Sequence, residues 1–516
     1  MSSFTIRFHP RQTRPGQAPS RPHRNWLAQL GDGMAKHRRT ILALQWLIAV
    51  FYAVLVALPA FLPHPGPEAR LFSSDMGAAS FVDQTICLSI DAASGLASAL
   101  QDKTPVGANW RERAVLLAQY LFWGVWWPFV ILSIMLMGRV WCGVLCPEGA
   151  IAEFASRHGR GGAIPRWIRW SGWPLVAFIL TTVYGQLVSV YEYPQAALLI
   201  LGGSTVAAAL IGYLYGKGKR VWCRYLCPVS GVFGLLARLA PVQFTVDRNA
   251  WNRYPQRTAA VDCPPLLSVS HLSGMAECHA CGRCSGHRDA VTLAARSPHT
   301  EILGGRKPHT VEALLLLFGM LGVAIGAFQW SVSPWFVQLK QASAEWLVDH
   351  DIFWPLEESP AWWLLTRYHE ANDIFTWLDG AAILVWIATV ALILGGTALL
   401  AMITVGRLTG VDWRRLALGL VPLAGIGLFL GLSMMTATHL RAEGMAPSWL
   451  AEIRAALLTV GVLWSAWLGA QLITARVGFR MTAASDHAAV SGLAWLTWML
   501  PVALIAGSWI FVFYIW

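Results

Sequence analysis

Charged residues are scarce in this chain. They make up 13% of its 516 residues, against about 25% in ordinary soluble domains. That shortage excludes a disordered chain, which depends on charge to stay solvated, and it argues against a soluble enzyme. Acidic residues are the scarcer sign, 28 Asp and Glu against 39 Lys and Arg, which leaves a formal net charge of +11. Two cofactor signatures are also missing. No Cys-x2-Cys-His occurs, so a c-type haem has no attachment site. No phosphate-binding loop occurs either: Leu201-Gly-Gly-Ser204 lacks the Lys-Ser/Thr ending. Nine cysteines, odd in number and unevenly bunched, do not form a secreted disulfide framework.

Apolar residues fill the space that charge leaves. They amount to 56% of the chain, and a membrane helix needs about 20 of them in sequence to cross roughly 30 Å of hydrocarbon. Nine stretches are read as spans: 40–63, 114–137, 173–190, 196–215, 313–330, 380–405, 416–437, 455–473 and 490–515. The third and fourth are the shortest, separated by the turn Tyr191-Glu192-Tyr193-Pro194. Tryptophans crowd the span ends, as in Trp126-Trp127 and Trp362-Trp363, which suits an interfacial belt.

With the N-terminus inside, 31 of the 39 Lys and Arg fall in inner segments. The positive-inside rule then predicts N-terminus in and C-terminus out, across a bacterial inner membrane. The net charge is therefore a topology signal and gives no ground for a nucleic-acid partner. Four regions follow: a basic cytoplasmic tail (1–39), a four-helix membrane region (40–217), a cytoplasmic iron–sulfur segment (218–309) and a five-helix membrane region (310–516). The tail, with Arg7, Arg11, Arg14, Arg21 and Arg24 among Pro and Ser, reads as disordered and membrane-apposed. The fold class is an all-α polytopic membrane protein with about nine transmembrane helices and a small ferredoxin-like segment.

Eight of the nine cysteines fall on one side of this topology. Arg139-Val-Trp-Cys142-Gly-Val-Leu-Cys146-Pro147 repeats as Arg220-Val-Trp-Cys223-Arg-Tyr-Leu-Cys227-Pro228, at an offset of 81 residues. Each copy follows a two-span hairpin, so two such units are expected to be related by an axis along the membrane normal, with their cysteines meeting at one spot. A third group is Cys278-His-Ala-Cys281-Gly-Arg-Cys284, with Cys263-Pro264 upstream. Three cysteines at this spacing can hold three corners of a cubane cluster, and a remote cysteine, commonly Cys-Pro, fills the fourth. Cys263 offers that corner, and so do the paired motifs. Eight thiolates suffice for two 4Fe–4S clusters, with Arg139, Arg220, Arg224, Arg283 and Arg288 to offset their charge. A four-cysteine zinc knot is the alternative. Cys87, among apolar neighbours on the outer side, reads as a small buried residue. Cys87→Ser is accordingly expected to leave the low-temperature EPR spectrum of the purified protein unchanged.

The span–Cys-x3-Cys-Pro repeat followed by a ferredoxin-type loop resembles the membrane polyferredoxins over roughly residues 110–300. These include membrane subunits of periplasmic nitrate reductase systems, the iron–sulfur membrane protein of nitrous-oxide respiration and an assembly ferredoxin of cbb3 oxidases. The resemblance implies 4Fe–4S binding at Cys142, Cys146, Cys223, Cys227, Cys278, Cys281 and Cys284, with Cys263 added. Such loops usually continue x3-Cys-Pro after the third cysteine, where this chain has Arg288, and the resemblance does not extend beyond about residue 310.

Clusters at the inner face do not themselves cross the bilayer. A haem between spans would need facing histidines, whereas His309, His350, His369, His439 and His487 sit in loops or at span ends. A quinone is the economical shuttle. Candidate proton partners at span mouths are Asp379 and Glu312, with His439 opposite; each reads more simply as a solvated helix-end charge, and Asp373 and Asp379 could alternatively cap and orient the sixth span. The outer loop 331–376, with Glu357-Glu358, His369 and Glu370, is a solvated loop or a docking or metal site. The expected function is electron relay between a quinone or cytoplasmic donor and a respiratory or metal-handling partner, as a carrier rather than a stand-alone oxidoreductase. A membrane redox sensor, or a redox-driven metal-handling or oxidase assembly factor, is the alternative.

Overall fold

The computed structural model describes residues 25–65, 109–445, 447–480 and 484–516. Cys87 and the tail arginines Arg7 to Arg24 lie outside the described residues. Eight helices among the described residues are long and apolar enough to cross a membrane: Arg38–Phe61, Trp110–Met137, Pro194–Tyr215, Thr310–Gln329, Trp377–Thr409, Val421–Arg441, Leu450–Thr474 and Ala489–Ile515. Thr310–Gln329 and Val421–Arg441 are the most buried of the eight and form the centre of the bundle. Trp498 and Trp509 lie fully buried in the same core.

The remaining expected span, 173–190, is shorter than a bilayer crossing. It is the 15-residue helix Trp173–Leu187, about 22 Å long at 1.5 Å per residue. The helix stops because the chain turns at once: Ser189 takes φ 48°, and the Val190 N–H bonds back to Gly185 O at 2.9 Å. Among the described residues, the nine expected spans thus correspond to eight helices long enough to cross a membrane and one short helix. The loop after Thr310–Gln329 covers the hairpin tip, where the Thr366 N–H meets Leu187 O at 2.9 Å and the Tyr368 ring stacks on Tyr193 at 3.6 Å.

Below that tip the two legs of the hairpin part. Trp173–Leu187 packs against Thr310–Gln329, whereas Pro194–Tyr215 packs against the helix Pro147–Arg157. At the cysteine end, β1 (Val242–Val246) and β2 (Val291–Ala295) form an antiparallel pair with Phe244 opposite Leu293, both buried. The sequence reading had placed no strands here. The helix Trp26–Lys36 lies against β2, and Asp32 accepts the Ser285 hydroxyl at 3.0 Å. The last third of the basic tail is therefore a packed helix, fixed by its apolar Leu27 and by Asp32 rather than by its basic residues.

Candidate metal centre

The duplicated motif folds the same way twice. In each copy the second cysteine's amide reaches back five residues, Cys146 N–H to Trp141 O at 2.8 Å and Cys227 N–H to Trp222 O at 3.0 Å. Such wide turns recur at functional sites, and cysteines four apart on a helical turn share a face. Proline then ends the turn. Pro147 opens the helix Pro147–Arg157, where a missing N–H costs nothing, and Ser230–Leu236 follows Pro228.

The copies are joined by an exchange of arginines. Arg139 of the first donates to Ser230 Oγ of the second at 2.8 Å, and Ser230 Oγ donates to Cys223 O at 2.8 Å. Arg220 of the second packs over Gly149 of the first and donates directly to Cys142 O. Ser230 and Gly149 are equivalent positions in the repeat, so the hydroxyl relays one bond while the bare glycine lets the other guanidinium through. Reciprocal contact of this kind is what a twofold relation between the copies requires.

The eight described cysteines are all free thiols, gathered into two adjoining sets. Cys142, Cys146, Cys223 and Cys227 are close enough to act on one another electrostatically. Cys263, Cys278, Cys281 and Cys284 form the second such set, which places Cys263 near the three-cysteine loop. Burial pushes the Cys223 thiol up to about 12, opposed by Arg220 and reinforced by Cys142. Burial does the same to Cys284, up to about 12, reinforced by Cys281 and Cys263. Cys146, Cys227 and Cys278 are raised for the same first reason, desolvation. Thiols held protonated in this way release protons when an electrophilic metal group takes them as thiolates.

The sets meet at Gly143. A Cβ there would stand 2.0 Å from His279 O and 2.8 Å from Cys281 N, so the cysteine loop rests on bare backbone between Cys142 and Cys146. Gln45 Nε2 donates to Gly143 O at 2.8 Å and fixes that turn from below. Gly143→Ala must displace backbone rather than a flexible side chain. Overpacking costs typically about 1–3 kcal/mol, and the variant is expected to lose at least that much stability in thermal unfolding in detergent. An unchanged midpoint would contradict this contact.

Charge around the thiols is positive and fixed. Glu153, buried, binds Arg220 Nε at 2.9 Å and Arg283 Nη2 at 2.7 and 2.8 Å, with Arg157 as a third partner. Burial raises the Glu153 carboxyl, but Arg220, then Arg283 and Arg157, outweigh it and hold the group down to about 2. Arg220 is fully buried and faces Cys223, Cys281 and Cys146. Of the other expected arginines, Arg224 pairs with Glu277 at 3.4 Å. Arg288 turns away to Thr258 Oγ1 at 2.9 Å and to the Trp251 ring.

Four buried nitrogens in this shell have no hydrogen-bond partner: Arg139 Nε, Arg220 Nη2, Arg283 Nη1 and His279 Nδ1. An orphaned buried N–H costs about 1–3 kcal/mol, and an anionic group seated among the thiols would offer the guanidinium donors an acceptor. Among the described residues no three His, Cys, Asp or Glu side chains stand close enough to hold a single metal ion. A zinc knot is thus not preformed, whereas a polynuclear cluster spaces its four thiolates more widely. The residues present fit an iron–sulfur cluster.

The span-mouth quinone partners expected from sequence have structural duties instead. Glu312 pairs with Arg238 at 2.8 Å and caps its own helix. Asp379 closes the capping box of Thr376 and pairs with Lys340 at 2.8 Å, and His439 Nδ1 bonds to Met435 O at 2.7 Å. In the loop 331–376, Glu358 is engaged by Arg367 at 3.1 Å, with His369 beside it. The acidic residue that does stand beside the thiols is Glu148, which the sequence reading passed over. Its carboxyl accepts from Trp222 Nε1 at 3.2 Å and from Ser204. The signal was there: Glu148 occupies the position where the second copy has Val229.

Comparison with known proteins agrees with the duplication. The family described as a 4Fe-4S binding domain matches twice, at residues 120–171 and 198–245. YccM of Escherichia coli (strain K12), named as a candidate electron transport protein, is 26% identical over 235 residues, 39% of this chain and 64% of its own. The Regulatory protein NosR of Pseudomonas aeruginosa is 27% identical over 179 residues, 31% of this chain and 24% of its own. NosR of Stutzerimonas stutzeri is 25% identical over 180 residues, with the same two shares. The chain thus spans less than two thirds of the length of these curated relatives. No solved structure matches it.

Proposed function

We propose that this chain, a member of the membrane polyferredoxin family and a 4Fe-4S electron transport protein by its duplicated domain, relays single electrons between a quinone or cytoplasmic donor and a respiratory or metal-handling partner. One cluster would be held by Cys142, Cys146, Cys223 and Cys227, and the other by Cys278, Cys281, Cys284 and Cys263. When bound, each cluster supplies one-electron redox chemistry, its potential tuned by hydrogen bonds and exposure. The observation that carries this reading is the juxtaposition of two four-thiol sets across Gly143. Arg220 and Arg283, pinned by Glu153, supply fixed positive charge between them, and burial by the membrane repeat keeps water away.

The Lys and Arg distribution supports a multi-pass protein of the bacterial inner membrane, N-terminus and cysteine end in the cytoplasm. The division into a tail to 39, a four-helix region to 217, a cluster-bearing segment to 309 and a five-helix remainder is part of the same proposal. The relay is tested by reducing anaerobically purified protein with menaquinol or ubiquinol and following the cluster EPR signals. Reversible reduction supports it. The NosR relatives are named regulatory proteins, which favours a redox sensor as the second reading. Clusters that decay in air and are never reduced by a quinol would replace the relay with that sensor.

A further inference from the structure

A large cavity lies where the hairpin legs Trp173–Leu187 and Pro194–Tyr215 part. Its volume is about 920 Å³, and it runs from Cys142, Cys146, Cys223 and Cys227 at one end to Tyr184 at the other. Binding sites for small molecules are typically about 300–1,000 Å³, mostly apolar, with a few placed polar groups. The four thiols line part of its wall, and hairpin residues from Ala177 to Tyr184 and from Leu199 to Ile211 line another part.

Three observations say what fills it. The first is the mouth. Leu180, Leu199 and Leu210 line the cavity yet are 62%, 39% and 55% exposed. They belong to the hairpin within the membrane region, so the opening faces lipid and admits a lipid-soluble molecule from the side. The second is the wall. Trp126, Trp127 and Trp173 present aromatic faces to a planar ring. The third is Glu148, a carboxyl set in this apolar wall between the thiols and Ser204. Burying it there is costly without partners. It accepts two hydrogen bonds, from Trp222 and Ser204, and a carboxylate offers about four acceptor sites. Capacity remains for a hydroxyl of the ligand. The flat aromatic wall with one hydrogen-bonding carboxyl at the thiol end suits an amphiphile with a planar polar ring and an apolar tail.

We infer that this cavity is the binding site of an isoprenoid quinone, its headgroup hydrogen-bonded to Glu148 beside Cys146 and Cys223 and its tail leaving between the hairpin legs past Leu180 and Leu210. The inference rests on the proposed relay for its purpose, though not for its geometry. Val229, the counterpart of Glu148 in the second repeat, lines the same cavity. The polar contact is therefore on one side only, and it orients the ring. Glu148 is a positioning residue here, and the ring it holds would sit next to the first four-thiol set.

The test is photolabelling of the full-length protein in nanodiscs with an azido-ubiquinone and an azido-menaquinone, mapped by mass spectrometry, with iron content measured on the same samples. Labels on 173–187 and 194–215, competed by excess unlabelled quinone, are expected. Ala177→Trp, which fills the cavity from the hairpin leg Trp173–Leu187, should abolish the label while iron is retained. Glu148→Gln should weaken competition about tenfold, the loss of roughly one hydrogen bond. Label elsewhere on the chain, label that survives Ala177→Trp, or label competed equally by phospholipid would overturn the inference. Specific label on protein devoid of iron would instead uphold the quinone site and sink the relay, so the two readings fail separately.

Discussion

Protein purified without oxygen is expected to carry about eight iron and about eight acid-labile sulfide per chain, as two 4Fe–4S clusters require. Cys223→Ser should lower both to about four, and so should Cys281→Ser. The two variants should lose different EPR signals, because the eight thiols fall into two sets that do not share a member. Each set is closed by residues far apart in sequence: Cys142 with Cys223 in one, Cys263 with Cys281 in the other. Removing one thiol leaves three corners held, which serine oxygen does not complete for a soft iron–sulfur group. Zinc at one per set, in place of iron, would end the cluster assignment. Loss of both signals from either single substitution would mean that the sets are one site.

Glu153→Gln is expected to be among the most destabilising single changes outside the cysteines. Arg220 has no solvent exposure, and Glu153 is its carboxylate partner. Breaking a buried ion pair by removing one member costs about 3–5 kcal/mol, because the other charge stays behind uncompensated. Here Arg283 is stranded as well. Arg157, the third partner, is 38% exposed, and Arg157→Ala should cost less than about 1 kcal/mol. Thermal unfolding in detergent, with iron content alongside, separates the two. The pH dependence has a definite sign. The folded carboxyl is held near 2, below its usual value of 4.5. Its contribution is therefore present above that usual value and disappears as pH falls toward 2. The wild type should lose stability across this acid window, and Glu153→Gln should lose the Glu153 share of that slope. Equal slopes in the two proteins would mean that Glu153 is not held by its arginines.

Much of this was legible in the sequence. The repeat at offset 81 marked the two Cys-x3-Cys-Pro pairs as equivalent, and Cys263-Pro264 was one candidate for the last corner beside those pairs, so which cysteines share a cluster stayed open in the sequence. Eight of the nine spans were legible as runs of apolar residues. The short helix Trp173–Leu187 was not, since its end is set by a turn at Ser189 and by the loop residue Thr366, contacts that hydropathy does not carry. The Arg139–Ser230 and Arg220–Gly149 exchange was equally hidden. Both arginines were noted beside their own cysteines, but which thiol set each would reach depends on how the copies pack. Glu312 and Asp379, charged and near membrane ends, read more simply as helix-end charges than as proton partners, and the structure gives them caps and ion pairs. Glu148, just past the first motif, is marked in the sequence only by the Val229 at the equivalent place, and it stands in the cavity wall.

The contact at Gly143 gives the duplication a direction. In the second copy the equivalent position is Arg224, a long side chain that pairs with Glu277. The loop that carries Cys278 to Cys284 has only one socket on a nearly symmetric base, because an arginine in the first copy would fill the space its backbone occupies. A structure built from two similar halves thus seats the cysteine loop on one half alone, and the two thiol sets meet across a single bare stretch of chain.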